Sequence, residues 1–230
     1  MDLFQRAAGA FERRVLAPLI HATPIGVDPH TGVRARRYRD YGHYVRHQAA
    51  KLRRQFETLH AHDIAYEEIV FARYAALPLR GRSMLCLGAR LGGEVRAFRR
   101  LGALALGVDL EPGPHNRHVL PGDVHALQFA DGVFDYAFTN ILDHVLDLEA
   151  FATEVLRVLR RDGVLIAEFS SGPIKNYEVN DLTDGRVQAF IGQRMRLLSK
   201  TPIANTTSYT DWRGLQATYA RRPEAGPACA

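Results

Sequence analysis

The sequence predicts an α/β fold: a doubly wound, mostly parallel seven-stranded sheet with helices on both faces and an N-terminal helical cap. From residue 83 onward, short apolar runs alternate with amphipathic segments, and this alternation favours parallel crossovers. The first 80 residues instead show three- and four-residue spacing of apolar side chains. We therefore predict a helical cap over 1–80, a sheet domain over 81–222 and a flexible tail over 223–230.

The cap is predicted to hold three helices, over residues 2–20, 39–61 and 64–77. A loop with four Pro and Gly breakers, His21–Gly32, follows the first helix, and Pro78 ends the third.

The strands and helices of the sheet domain are predicted from apolar runs and from the residues that end them. Asp147 is a predicted N-cap for the clearest helix. Residues 124–129 are predicted to be a turn or a poor helix, and the last two strands are predicted to be an antiparallel pair. We predict strands at 84–87, 103–108, 118–120, 134–139, 164–169, 195–199 and 215–220, and helices at 94–101, 148–160 and 187–191.

Composition narrows the class of protein and its compartment. The two cysteines, Cys86 and Cys229, argue against a disulfide framework and fit a reducing compartment. Apolar runs long enough to span a bilayer are absent, and Met1–Ile20 lacks a signal-peptide layout. These features predict a cytoplasmic protein without a membrane partner, and they set no oligomeric state.

The formal net charge of +5 is concentrated in the cap. Lys and Arg outnumber Asp and Glu by 13 to 8 in residues 1–80 and equal them at 17 each in residues 81–230. A basic cap suits an anionic partner such as RNA, but a solvated arginine-rich helix face explains it more simply. We therefore expect no nucleic-acid partner.

The first strand of the sheet domain ends in a glycine-containing loop, Gly88–Glu94. Asp109 ends the second strand, 21 residues after Gly88 (109 − 88). A carboxylate at this place accepts hydrogen bonds from ribose hydroxyls, which predicts a nucleoside site. The loop spacing is G-x-x-x-G-G, with Arg90 where a dinucleotide fingerprint has glycine, so NAD or FAD is disfavoured.

Five passages in order resemble the core of the class I, Rossmann-like S-adenosylmethionine-dependent methyltransferases. They cover residues 82–169: the loop after Leu85-Cys86-Leu87, Gly107-Val108-Asp109-Leu110, Gly122-Asp123-Val124, residues 127–135 before the fourth strand, and residues 156–165. The resemblance implies S-adenosylmethionine as cofactor and S-adenosylhomocysteine as product. The cofactor-binding residues that it implies are Gly88, Ala89, Arg90, Gly92, Asp109, Leu110, Asp123, Val124 and Asn140. Two positions depart from the pattern, since Cys86 replaces an acid that helps to hold the methionine end and Arg90 replaces a small residue.

Methyl transfer requires few catalytic side chains, because the sulfonium is already an activated electrophile. His144, after the fourth strand, is the candidate catalytic base, since imidazole titrates near neutrality; a packing role is the alternative. Tyr41, Tyr44 and His47 of the cap are candidate acceptor ligands. Metal-ligating motifs with a third ligand are absent.

The sequence thus favours a methyltransferase acting on an O, N or C centre of a small-molecule acceptor. Three alternatives stay open: a non-catalytic protein that binds S-adenosylmethionine or S-adenosylhomocysteine as a partner, an RNA methyltransferase, and, last, a nicotinamide oxidoreductase.

Overall fold

The computed structural model describes residues 23–27, 33–113, 115–170, 178–207 and 210–222, and only the backbone of 51–57, 207, 210 and 211. The predicted helix over 2–20 and the predicted tail lie outside these residues, so the division at residues 80 and 222 stays a prediction. The described strands are β1 (Ile25–Val27), β2 (Arg34–Arg36), β3 (Ser83–Leu87), β4 (Leu104–Asp109), β5 (Val119–Pro121), β6 (Phe134–Thr139), β7 (Leu159–Phe169), β8 (Met195–Thr207) and β9 (Thr210–Arg221). The described α-helices are α1 (Tyr41–Tyr74), α2 (Gly93–Arg100), α3 (Leu148–Val158) and α4 (Asp184–Val187), with a 3₁₀ turn at Leu142–His144 and a π turn at Gln188–Gly192.

Seven strands form one sheet in the order β5-β4-β3-β6-β7-β9-β8. The pairs from β5 to β7 are parallel, and β9 lies antiparallel between β7 and β8. The predicted doubly wound fold is therefore confirmed, including the closing antiparallel pair.

Residues of the central strand β3 alternate between two hydrophobic cores. Leu85 and Leu87 join Phe151 and Val155 of α3 on one face, whereas Met84 and Cys86 join the core on the other face. That second core includes Val70 and Tyr74 of α1 and Val95 and Phe98 of α2. Both faces of β3 are covered, which agrees with its apolar sequence from Met84 to Leu87.

Helix α1 is a single helix of 34 residues, so the prediction of two helices over 39–61 and 64–77 was wrong. Asp63, which has a low intrinsic helix propensity, is held by tertiary contacts instead. Its Oδ1 accepts a hydrogen bond from the Gly93 backbone N–H at 2.9 Å, and its Oδ2 pairs with Arg96 at 2.7 Å.

Two short elements differ from the predicted loops. Strand β1 falls inside the predicted loop 21–32 and pairs antiparallel with β2. Strands of three residues are too short to show an alternating pattern, so sequence periodicity misses them. Strands β8 and β9 extend the predicted pair into a longer hairpin, and the predicted helix over 187–191 continues α4 through the π turn.

Asp147 caps α3 as predicted, its carboxylate accepting hydrogen bonds from the backbone N–H groups of Glu149 and Ala150 at 2.9 and 3.0 Å. Within the described residues, no helix combines the length and apolar character needed to cross a membrane.

Candidate active site

The strand order reverses between β4 and β6, on either side of β3. In open parallel sheets a ligand binds beyond the carboxyl ends of the strands at this switch point. A first cavity opens there, beside the loop that follows β3. Its lining residues are Tyr44, Gln48, Gly88, Arg90, Asp109, Leu110, Glu111, Val124, Ile141 and His144.

Glycine is required at two points of this loop. Gly88 has φ +74°, and a side-chain carbon there would lie 2.6 Å from the Ile141 side chain. Gly92, the N-cap of α2, has φ +87°, and a side-chain carbon would lie 3.0 Å from His118 Cβ. The loop backbone can therefore approach a ligand closely and ends at the N–H groups of a helix.

Asp109 ties the loop to the end of β4. Its Oδ2 accepts a hydrogen bond from the Arg90 backbone N–H, and its Oδ1 accepts one from the Glu111 backbone N–H, both at 2.9 Å. These two donors hold the carboxylate at the edge of the first cavity, beside Leu110.

Asp123 lies in a cluster of polar and aromatic groups near Val124. It accepts hydrogen bonds from the backbone N–H and ring Nδ1 of His125, at 2.9 and 2.7 Å, and from the Tyr41 hydroxyl. Burial raises the pKa of Asp123, but the bonds from His125 and Tyr41 outweigh it and lower that pKa to about 2. The start of α1 is thereby fixed over this side of the site.

Tyr44, one turn of α1 before Gln48, covers the first cavity. Its ring lies 5.5 Å from that of Tyr41 and 5.9 Å from that of His125, and its hydroxyl donates to the His144 carbonyl at 3.1 Å.

A second cavity of about 320 Å³ adjoins the first and shares three lining residues with it: Arg90, Ile141 and His144. Trp212, the only tryptophan of the chain, forms one wall. Gly214 leaves room for the indole, since a side-chain carbon at 214 would lie 2.5 Å from it. The remaining lining residues are Thr58, Leu59, His62, Tyr66, Asn140, Asp143, Glu168, Glu178 and Asn205.

A fully buried carboxylate, Glu168, stands in the wall of the second cavity. It accepts hydrogen bonds from Tyr66 at 2.8 Å, Tyr74 at 2.7 Å and Arg73 at 2.6 Å. Arg73 also donates to Asn205 Oδ1 at 2.6 Å. Burial and the Glu168 carboxylate raise the pKa of both tyrosines well above its usual value, so they remain protonated donors.

The structure brings most of the predicted site residues together. The predicted residues that line the first cavity are Gly88, Arg90, Asp109, Leu110, Val124, Tyr44 and His144. Those that line the second cavity are Asn140, Arg90 and His144. Ala89 is buried within the loop, and the Tyr41 hydroxyl donates a hydrogen bond to Asp123. His47 is buried, hydrogen-bonded to the Tyr38 hydroxyl at 2.9 Å, and lines neither cavity. The roles assigned to all these residues stay predictions.

Sequence reasoning missed much of the lining. Gln48 follows Tyr44 by four residues and so shares its helix face, a spacing that could have identified it. Glu168 and Trp212 carry no local pattern, because their place depends on the pairing of β7 with β9.

This strand order, with a cavity at its switch point, is that of the Rossmann-like methyltransferase fold. Residues 85–167 match the family model described as a methyltransferase domain. The match identifies residues 85–167 as a methyltransferase domain and supports S-adenosylmethionine as its methyl donor.

Solved structures share this fold. 1,6-Didemethyltoxoflavin-N1-methyltransferase of Burkholderia thailandensis, with 1,6-didemethyltoxoflavin and S-adenosylhomocysteine bound, is 16% identical over 85% of this chain and 97% of its own, with a TM-score of 0.60. An S-adenosylmethionine-dependent methyltransferase of Methanosarcina mazei is 15% identical over 67% and 98%, with a TM-score of 0.54. A chain from the complex between the Haloferax volcanii Trm112 methyltransferase activator and a methyltransferase is 15% identical over 72% and 96%, with a TM-score of 0.56. No curated protein sequence matches the chain significantly.

Proposed function

We propose that the protein transfers the methyl group of S-adenosylmethionine to an O, N or C centre of a small molecule held in the second cavity. The observation that carries this proposal is the meeting of the two cavities at Arg90, Ile141 and His144. A donor lying in the first cavity would direct its methyl group across these three residues toward the second.

The residues of the first cavity fit the adenosine part of the donor. We assign the Asp109 carboxylate to the ribose hydroxyls, with Leu110 and Val124 against the adenine ring. Asp123 does not line the cavity but directly precedes Val124, and we assign it to the adenine amino group. The space at Gly88, which a side-chain carbon would fill, admits the donor close to the backbone.

When bound, the donor would supply an activated methyl group: an acceptor lone pair would attack the methyl carbon in line as its bond to the sulfonium sulfur breaks, with S-adenosylhomocysteine as the leaving group. Ile141 and the cover formed by Tyr44 would exclude water from the first cavity. His144 lies at the junction and would take the proton released by an O–H or N–H acceptor. A carbon acceptor would make the same demand on a base.

Two observations bear on the alternatives. Arg36, in the basic part of the cap, donates to the carbonyls of Glu178 and Thr23 at 2.8 and 3.1 Å, and Arg37 donates to the Val27 carbonyl at 3.3 Å. Part of the basic excess is therefore used within the fold, which disfavours an RNA acceptor. Arg90 in the donor loop favours instead the non-catalytic alternative, in which the donor is bound but not used.

The test is release of S-adenosylhomocysteine, measured by mass spectrometry, from S-adenosylmethionine and separate pools of small phenols, amines, heteroaromatic compounds and RNA. We expect release with a small-molecule pool, and loss of release in His144→Ala. Release with RNA alone would favour the RNA alternative. Donor binding without release from any pool would favour the non-catalytic one.

Acceptor binding has a built-in reporter. Trp212 emission should change when an active acceptor is added to the protein saturated with S-adenosylhomocysteine, because the chain has no other tryptophan. An acceptor that turns over but leaves this emission unchanged would contradict the assignment of the second cavity.

A further inference from the structure

Arg90 occupies an unusual backbone position in the loop after β3. Its φ is +41°, in the left-handed region that favours glycine. The backbone is held there on both sides, because its N–H donates to Asp109 Oδ2 at 2.9 Å and its carbonyl accepts from Asn116 Nδ2 at 3.0 Å. A glycine would adopt this conformation more easily, so the presence of an arginine points to a use for its side chain.

Arg90 lies where the two cavities meet. It is partly buried and lines the first cavity with Asp109 and the second with Asn140. The methionine end of a donor must run between the same points, because its ribose is assigned to Asp109 and its methyl group must reach the second cavity.

The guanidinium has no carboxylate within salt-bridge distance among the residues that the structure describes. Burial and the neighbouring Asp63 raise the pKa of the buried Glu94 to about 8, and the Arg90 charge acts in the opposite direction, but the two groups form no salt bridge. A partly buried guanidinium in this setting is suited to an anionic ligand.

The donor's methionine end also carries an ammonium group, and the acid that the resemblance implies for holding it is missing from this chain. Cys86 stands at that position, is fully buried in the second core, and has its thiol pKa raised well above the usual value by burial. It therefore offers no charge to an ammonium group.

We infer that the Arg90 guanidinium binds the α-carboxylate of the donor's methionine end, so that this chain distinguishes donor analogues by their carboxylate. The inference rests on the proposed function, since it requires the adenosine part to lie in the first cavity. Arg90 is thereby a specificity-determining residue as well as part of the loop.

The test compares three probes by calorimetry: S-adenosylhomocysteine, its decarboxylated analogue, and 5′-methylthioadenosine, which lacks the whole amino-acid end. A charge-assisted pair of this kind corresponds to roughly a ten- to hundred-fold difference in Kd. We expect wild type to bind S-adenosylhomocysteine tighter than the decarboxylated analogue by that factor. In Arg90→Met the two should bind alike, with the Kd for 5′-methylthioadenosine changed less than about threefold.

Two further variants separate charge from loop conformation. Arg90→Gly permits the left-handed backbone and should lose the discrimination just as Arg90→Met does. Arg80→Met, which removes an exposed arginine before β3, should behave as wild type.

Discrimination that survives in Arg90→Met and Arg90→Gly would overturn the inference, and so would equal weakening of all three probes. If wild type binds none of the three, the proposed function fails as well. Binding of 5′-methylthioadenosine with no preference for S-adenosylhomocysteine would leave the donor assignment intact and refute the role of Arg90.

Discussion

Replacing Glu168 with glutamine should destabilise the fold by about 3 kcal/mol, because it removes the charge from a fully buried carboxylate. Tyr66, Tyr74 and Arg73 all donate to this group, at 2.6 to 2.8 Å. Gln has the same size, but its NH₂ group must face one of these donors, and Arg73 loses its charged partner. The cluster links α1 to β7 and, through Asn205, to β8.

The magnitude follows from the burial of the two partners. Removing one member of a buried ion pair costs about 3–5 kcal/mol. The Arg73 side chain is 17% exposed and so partly reached by water, which favours the lower end of that range. For a domain of about 200 residues, such a loss lowers Tm by roughly 6–12 °C.

Urea and thermal unfolding, followed by circular dichroism, measure both quantities. The double variant Glu168→Gln with Arg73→Met should be more stable than the sum of the two single changes predicts, by about 1 kcal/mol or more. Glu68→Gln is the control, since it removes the carboxylate of an exposed pair with Arg100 and should leave the unfolding midpoint unchanged. A loss below about 1 kcal/mol for Glu168→Gln, or strict additivity with Arg73→Met, would refute the reasoning.

Three further changes probe the site and its surroundings. Gly88→Ala should destabilise the protein more than Gly81→Ala and weaken S-adenosylhomocysteine binding in calorimetry, because both positions have positive φ but only position 88 is crowded. Glu94, whose pKa burial raises to about 8, takes up a proton on folding between pH 4.5 and 8. Its contribution to stability is thus present at low pH and lost as the pH rises. The free energy of unfolding in urea should fall by up to about 1.4 kcal/mol per pH unit, and Glu94→Gln should remove this slope. Tyr41→Phe removes a donor to Asp123 and should raise the pKa of that carboxyl from about 2, as measured by carbon-13 NMR titration.

Each of these three predictions would be contradicted by a specific result. Equal destabilisation at positions 88 and 81 would mean that the Ile141 contact is easily relieved. Parallel pH profiles for wild type and Glu94→Gln would place the titration elsewhere. An unchanged titration of Asp123 in Tyr41→Phe would mean that the tyrosine hydroxyl does not donate to it in solution.

Local patterns were enough to predict the sheet and the position of Gly88 and Asp109 at its switch point. Strand β3 is a short apolar run ended by Gly88, and Asp109 ends the next strand, so both residues could be placed at one sheet edge from spacing alone. The same spacing argument cannot decide the roles of these residues.

Features that depend on distant contacts could not be predicted. Asp63 weakened the helical pattern of α1, and its compensation comes from Gly93 and Arg96, about 30 residues further along the chain. The wall of the second cavity brings Tyr66, Glu168 and Trp212 together from three separate elements. The residue pattern within each of these elements does not indicate that their side chains line one cavity.

The central claim is that the first cavity binds the adenosine part of the methyl donor, and calorimetric titration with S-adenosylhomocysteine tests it most directly. We predict one-to-one binding to wild type, weakening of roughly tenfold or more in Asp109→Asn, and no change in Asp162→Asn, an exposed control. NAD should not bind. A folded wild-type protein that binds NAD but not S-adenosylhomocysteine, or an Asp109→Asn variant with unaltered affinity, would contradict the account.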